Sequence, residues 1–472
     1  MLDSNVVPRS VLKASETSFL SKSSVALETE PTLCVADFLR NFFGLLEEVE
    51  IRYCVLHSWE LLPDKIESDV DIVVDPDDTT RIFLVFEKLE HLGYSPIMTV
   101  NYFTNAYRFD FGWFEEGRLV RALIDVICED RRNGLLIGSG QEMTKGRRKF
   151  RELWVASQEI EFRHVLAKKA WKQKVSPKQA RRLNDLAHQI GPARTQSIVG
   201  ELFSEPRAGQ VAAACMDGSI AHALGGARTE LWKKATFSHG FRLTRYAFEE
   251  GRRLLRRWLH PAGLFVAMLG PDGAGKSTLI EGISSAFGPA FRSNQTYHWR
   301  PGFLGWGNNP GATTNPHGQP ARGSVASMMY LTFFFVDYWL GYLFDIRPRI
   351  ARLSFVMFDR YFHDVLVDPK RYRYGGPRWF AKFLSRWVPE PDVVIQLDAS
   401  EEVIFLRKPE LSLGEIERQL LAYDQLRFKH AKKVTIKTDA GVESSLHASV
   451  QALFDFMRDR FGTIPCTWRR AA

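Results

Sequence analysis

LFVAMLGPDGAGKSTLIEGISSAF, residues Leu264–Phe287, reads as a strand, a glycine loop and a helix in direct succession. Leu264 to Leu269 is a short apolar run of buried-strand type. Gly270, Gly273 and Gly275 let the backbone turn tightly and bring its amides against phosphate oxygens, and the helix N-terminus adds a favourable dipole. The spacing completes GxxxxGK[ST], so Gly270, Asp272, Gly273, Ala274, Gly275, Lys276, Ser277 and Thr278 are the expected contacts of ATP with Mg²⁺. In that reading Lys276, an exposed loop lysine, sits on the β- and γ-phosphates, Ser277 on Mg²⁺ and Thr278 beside the α-phosphate. A chance glycine turn would leave unexplained why a lysine and two hydroxyls stand where phosphate chemistry needs them. The fold class that follows is α/β, a parallel sheet flanked by helices.

Downstream, Ser354 to Phe358 is another apolar strand, and Asp359 stands at its C-terminal end, where open α/β sheets place ligand-binding groups. A carboxylate there can hold Mg²⁺ through water or orient an acceptor, and Arg360 can neutralise phosphate charge. The ordinary alternative for an Asp-Arg pair is a structural salt bridge. Ser327 to Ile346 is nearly long and apolar enough to span a bilayer, but Asp337 and Asp345 interrupt it, so it reads as a helix fully buried in a large domain.

From Leu264 onward the order of motifs resembles thymidylate kinases and the wider nucleoside and nucleotide kinase family. The loop matches that family's GxDGAGKST, and the resemblance implies that Asp272 lies near the acceptor sugar. Arg300-Pro301-Gly302 stands about where the family has TREPGG, which implies that Arg300 binds the acceptor phosphate; the Glu of that motif is missing. Asp337 falls in the family's acceptor-site helix, and Asp359, Arg360 and Tyr361 match its DRY motif. Arg407 and Lys408 in FLRKPE stand where its lid supplies arginines, and Asp398 in PDVVIQLDA is a second candidate for the metal-binding carboxylate. Lys276, Asp359, Arg360 and Arg407 are thus the expected catalytic groups. The chain departs from thymidylate kinases at the acceptor: Tyr338 replaces the arginine after Asp337, and FHDVLVDPKRYRYGGP replaces the segment after DRY. Arg300, Asp337, Arg360, Arg371 and Arg373, with Lys370 nearby, form the expected acceptor surround. The loop Phe303 to Gly323 exceeds ordinary connection lengths, which points to a function for it. The chain resembles the thymidylate-kinase-like proteins suspected in surface-polysaccharide pathways.

In the N-terminal half, β-branched runs at Tyr53–His57, Asp71–Asp75 and Ala122–Cys128 suggest a small α/β domain. LHSWELLPDKIESDVDIVV (Leu56–Val74) resembles the nucleotidyltransferase signature, in which a Gly-Ser turn precedes DxD on a strand. Alternation puts Asp69 and Asp71 on one face, where they could hold metal with a third acid, Asp125, or in reserve Asp110. His57-Ser58 replaces Gly-Ser and removes the glycine that normally admits a triphosphate. Two readings stay open: a nucleotidyltransferase, or a substrate-binding or docking module. From about Lys145 to Gly225 strand signals vanish and helices are expected.

At 472 residues the chain is about twice the length one hydrophobic core usually serves. The expected division is a flexible leader (1–30), the nucleotidyltransferase-like domain with a helical part (31–235), a basic linker helix (236–261) and the phosphate-loop domain (262–472). A net charge of +8 favours anionic partners without separating nucleotides from nucleic acid or a membrane surface; with the kinase reading, the expected partners are a nucleotide and a phosphorylated small molecule or glycan precursor, and no nucleic acid. The five cysteines form no CxxC pair and are odd in number, which fits a reducing cytoplasm. Phe241 to His260 is a basic amphipathic segment, read as a docking helix, with contact to a membrane surface and a homodimer left open.

Overall fold

A computed structural model describes residues 34–66, 69–103, 106–132, 135–238, 240–305 and 317–462. The expected leader and residues 306–316 of the long loop lie outside the described residues. The N-terminal part runs α1 (Val35–Glu48), β1 (Tyr53–Val55), β2 (Val70–Val74), α2 (Ile82–His91), β3 (Ser95–Phe103), β4 (Ala106–Glu115), β5 (Arg118–Ile127), β6 (Glu129–Arg132), β7 (Leu135–Ser139), α3 (Gly140–Lys145), β8 (Arg148–Phe150) and β9 (Leu153–Val155). Six helices follow: α4 (Gln158–Lys172), α5 (Pro177–Ile190), α6 (Pro192–Leu202), α7 (Arg207–Asp217), α8 (Ile220–Ala223) and α9 (Ala227–Ser238). Strands β8 and β9 fall inside the stretch expected to be purely helical; at three residues each they are too short to show a period.

The first sheet is mixed, in the order β3-β4-β5-β2-β1-β9-β8, while β6 and β7 form a separate ribbon. Helices α1 and α2 cover one face, where Phe38, Phe42, Phe86, Phe109 and Phe111 build an aromatic core. Serine side chains cap α4 (Ser157) and α5 (Ser176, in a reciprocal capping box with Gln179), which fixes where the helical part begins.

Helix α10 (Gly240–Leu259) leads to the second sheet, which is wholly parallel. Its elements are β10 (Leu264–Leu269), α11 (Lys276–Phe287), β11 (Ser293–His298), α12 (Ser324–Gly341), a π-helical turn (Tyr342–Ile346), α13 (Arg347–Ala351), β12 (Ser354–Asp359), α14 (Asp364–Val367), α15 (Arg378–Ser385), β13 (Val393–Asp398), α16 (Glu401–Arg407), α17 (Leu413–Asp424), β14 (Lys432–Lys437) and α18 (Val442–Phe461). The strand order is β11-β12-β10-β13-β14. Central β10 is buried along its whole length, as a strand covered by helices on both faces must be. This is the expected architecture, a parallel sheet flanked by helices with the glycine loop at the end of its central strand.

Helix α12 corrects an expectation. Leu331, Asp337, Tyr338 and Gly341 are buried, but Val325, Met329, Val336 and Trp339 on its other side are exposed, so the helix is half-covered rather than engulfed. The two sheets also share a core: Ile97, Met98 and Val100 of edge strand β3 pack in one cluster with Val450, Leu453, Phe454 and Met457 of α18.

Candidate functional site

The loop after β10 is held in shape by its glycines. Gly273 has φ +90°, and a Cβ there would meet the Ile404 carbonyl at 2.9 Å and the Lys408 Cβ at 3.1 Å. The position therefore needs glycine both for its backbone and for the close approach of α16. Ala274 is buried, and Ser277 and Thr278 are exposed at the start of α11. Lys276 is not the exposed loop lysine expected. Only 7% of it is accessible, and its ammonium donates to the Gly270 and Pro271 carbonyls at 2.9 and 2.8 Å. Burial and then the neighbouring Arg360 push that ammonium down to about 8.

Asp272 is the centre of the charge arrangement. Its carboxylate accepts from the Arg360 and Arg371 guanidinium groups and stands 3.7 Å from the Lys276 ammonium and 3.8 Å from that of Lys408. Burial pushes the Asp272 carboxyl up, but Arg360, Lys276, Arg371 and Lys408 outweigh it and hold it well below the carboxylate range. Asp364 stands 3.8 Å from Arg360 and Glu410 3.2 Å from Lys408, so the cations at the mouth of the loop are held in a network of carboxylates.

The turn after β12 supplies the other half. Asp359 lies level with Met268 of β10, and its Oδ2 is 3.2 Å from His298 Nδ1. Its Oδ1 is buried without a hydrogen-bond partner. Arg360 adopts φ +73° while its amide donates to the Met268 carbonyl at 3.0 Å, a strained backbone that turns the guanidinium back onto Asp272. Tyr361 points the other way, its hydroxyl donating to the Pro389 carbonyl inside the core.

The expected acceptor groups separate. Arg360 and Arg371 reach the loop. Arg300 and Asp337 are buried against each other at 3.2 Å, and Asp337 also accepts from the Gly302 and Leu304 amides at 3.0 and 2.8 Å, so this pair fastens the Arg300-Pro301-Gly302 turn to α12. Arg373 donates to the Pro320 carbonyl at 3.1 Å, bracing the connecting loop, and Lys370 is exposed. Arg407 turns away from the phosphate loop and donates to the Thr438 carbonyl at 2.8 Å; its neighbour Lys408 faces Asp272 instead. Asp398 ends β13, where its carbonyl accepts from the Thr438 amide at 2.8 Å.

In the N-terminal part, ligating oxygens of Asp69, Asp71 and Asp125 lie within 4.8 Å of one another, at a cleft of ≈ 1110 Å³. Strands β2 and β5 put Asp71 level with Asp125, and β4 puts Arg108 level with Asp125. Arg108 donates to both Asp125 oxygens at 2.9 Å and to Asp69 at 3.2 Å, while His57 Nε2 and the Lys168 ammonium lie 2.9 and 3.3 Å from Asp71. Burial keeps the Asp125 carboxyl raised despite Arg108. Asp71, although more buried, is held well below its ordinary value by His57, Lys168 and His164. Lys168, Lys169 and Lys172 of α4 line the same cleft, and burial with mutual repulsion brings Lys169 down to about 8. The reserve acid Asp110 is elsewhere, buried and paired with Arg121 at 2.6 Å. Sequence reading missed Arg108 and Lys168. Arg108 stands two residues before Asp110 in RFDFG, so strand alternation could have flagged it.

No protein-family model matches the chain. Over 219 residues it is 23% identical to an Escherichia coli (strain K12) protein described as an uncharacterized ATP-binding protein, YghS, covering 40% of this chain and 91% of that one. Among solved structures it is similar to a thymidylate kinase from Ehrlichia chaffeensis, with 18% identity, 41% of this chain and 99% of that one covered, and a TM-score of 0.27. It is also similar to a thymidylate kinase from Candida albicans, with 13% identity, 42% and 93% covered, and a TM-score of 0.30.

Proposed function

We propose that the chain is a phosphotransferase that moves the γ-phosphate of ATP, with Mg²⁺, to an acceptor that itself carries phosphate. The observation that carries this reading is the convergence of Arg360, Arg371, Lys276 and Lys408 on Asp272 at the mouth of a complete phosphate loop. The loop amides and the N-terminus of α11 cradle the polyphosphate. Lys276 exchanges its two backbone carbonyls for phosphate oxygens, and Arg360 and Arg371 offset the negative charge of two phosphorylated substrates brought together. The exposed Ser277 hydroxyl and the buried, unpartnered Asp359 Oδ1 fit a divalent cation, held directly or through water. Mg²⁺ there would neutralise charge on the transferred phosphate.

The acceptor is redirected away from thymidine monophosphate. Tyr338 is a buried core residue, its hydroxyl donating to the Trp299 carbonyl, so nothing at that position is available to read a base. What remains are arginines, which grip phosphate bidentately and bind glycan-precursor phosphates as well as nucleotides. The test compares specificity constants for the four deoxynucleoside monophosphates, several sugar phosphates and a phosphate-free nucleoside, in wild type and Arg360→Lys. The substitution keeps the charge and lowers acceptor use roughly 10-fold to 100-fold, the scale of one lost charge-assisted hydrogen bond. Thymidine monophosphate leading by a hundredfold would make the protein a thymidylate kinase with extra elements.

A second reading rests on a different observation, the three carboxylates gathered in the lysine-lined N-terminal cleft. Their oxygens are a fitting donor set for Mg²⁺, once Arg108 yields its place, and a nucleotidyl transfer there would release pyrophosphate. Asp71→Asn then stops metal-dependent pyrophosphate release and leaves ADP formation unchanged. A wild-type protein that makes no pyrophosphate with any substrate is a docking module at this end.

A further inference from the structure

Helix α10 is mounted inside out. Arg253 and Arg257, one turn apart, face the protein: Arg253 donates to the Asn101 carbonyl at 3.4 Å and to Glu250 at 2.9 Å, and Arg257 to the Ala351 carbonyl at 3.1 Å. Its apolar side faces out, with Phe248, Leu254, Leu255, Trp258 and Leu259 between 39 and 74% exposed. A surface helix ordinarily does the reverse.

The same inversion continues on neighbouring elements. Along α15 and just past its end, Trp379, Phe383 and Trp387 recur every fourth residue and are 65, 54 and 61% exposed, while Arg378, Lys382 and Arg386, one position earlier each time, are exposed beside them. Both stripes are tied to one continuous helical run. Trp339 of α12 donates its indole N–H to the Trp387 carbonyl at 2.9 Å, and Arg347 of α13 donates to the Leu259 carbonyl at 2.9 Å. Those anchor points are eight residues apart, about 12 Å along the helix. Leu343 and Phe344, both exposed, lie between them. Glu250, Asp337 and Asp345 on these segments are paired with Arg253, Arg300 and Arg349.

We infer that this face, built from α10, α12 and α15, docks on the surface of an anionic lipid bilayer. Three features select that occupant. Tryptophan suits the boundary between headgroups and acyl chains, where one end of the ring is apolar and the other wet. Exposed Arg252, Arg256, Arg378, Lys382 and Arg386 supply attraction to anionic headgroups. A second copy docked symmetrically on the same face would set those five cations against their own counterparts. The mode is peripheral, since no helix among the described residues is long and apolar enough to cross a membrane.

The experiment is co-sedimentation of the full chain with vesicles of phosphatidylcholine alone and of phosphatidylcholine with phosphatidylglycerol, at low and high salt, beside sedimentation equilibrium without lipid. Wild type binds the anionic vesicles, more weakly as salt rises. Combined Arg378→Gln, Lys382→Gln and Arg386→Gln lowers that affinity about a hundredfold, at ~1 kcal/mol per cation. Combined Trp379→Ser, Phe383→Ser and Trp387→Ser also releases the protein from vesicles while its melting temperature is kept, because these side chains are already exposed. Phe248→Ser with Leu255→Ser does the same from the other end of the face. Absence of wild-type binding to anionic vesicles, equal binding to neutral ones, or a self-association abolished by these same substitutions would each overturn the inference, the last in favour of a second copy.

Discussion

At the scale of single residues, the site is organised by carboxylates that hold cations rather than by cations alone. Asp272 gathers four of them, and Asp337 immobilises Arg300 and two amides. Asp364 accepts from the Tyr361 amide at 2.7 Å and from the Tyr423 hydroxyl. Tyr338 belongs to the same frame, with its ring edge-on to Tyr361 and Phe362. Tyr338→Phe removes only the hydroxyl and strands the buried Trp299 carbonyl, which costs about 1–3 kcal/mol. Urea denaturation checks this. If Tyr338 is a framework residue, the variant loses stability but keeps the acceptor preference of wild type; a changed preference would put its hydroxyl in the acceptor site.

At the scale of elements, the segment from β12 into α14 carries the candidate site residues Asp359 and Arg360 and, further along, a buried histidine. His363 lies against Phe428 and Tyr361, and its Nδ1 has no partner. Burial pushes its imidazole down to about 4 from the ordinary 6.5, with Glu390 the charged neighbour opposing the shift. The ring is therefore neutral when folded and takes up a proton on unfolding. Its contribution is complete above about pH 6.5, declines as pH falls by up to about 1.4 kcal/mol per unit, and levels off below about pH 4. Between pH 7 and 5 the wild type loses on the order of 2 kcal/mol more than His363→Gln, measurable by urea denaturation at each pH; equal losses would mean a solvated ring. Elements differed in how far sequence revealed them, and the reason is burial. Strands β10, β12 and β13 are central, buried and mostly apolar, whereas the edge strands β11 (SNQTYH) and β14 (KKVTIK) are partly exposed and mostly polar and look like loops. The α12 segment was legible as an apolar helix but not as a half-covered one, because an all-round apolar composition cannot say which side is covered. Within the site, loop residues carry a motif, but Arg108, Lys168 and the exchange of Arg407 for Lys408 depend on strand register and helix rotation, which appear only on folding.

At the scale of the molecule, two sheets with separate charge centres are packed through a shared apolar core. A Cβ on Gly112 of β4 would meet Ile97 and Phe454 side chains at 3.1 Å, so the N-terminal sheet and α18 leave no slack between them. The charge centre of each sheet lies at strand ends, and the phosphate loop is the one with a complete motif behind it. The most direct measurement of the account is therefore phosphorus NMR of ATP with Mg²⁺ and pooled phosphorylated acceptors, using the full chain and Lys276→Met, which keeps the volume of this buried side chain. Wild type should consume the γ-phosphate resonance only when acceptors are present, yielding ADP and a new phosphoester or phosphoanhydride signal, and Lys276→Met should abolish this while still folding. ATP left intact with every acceptor, or turnover undiminished in Lys276→Met, would contradict it.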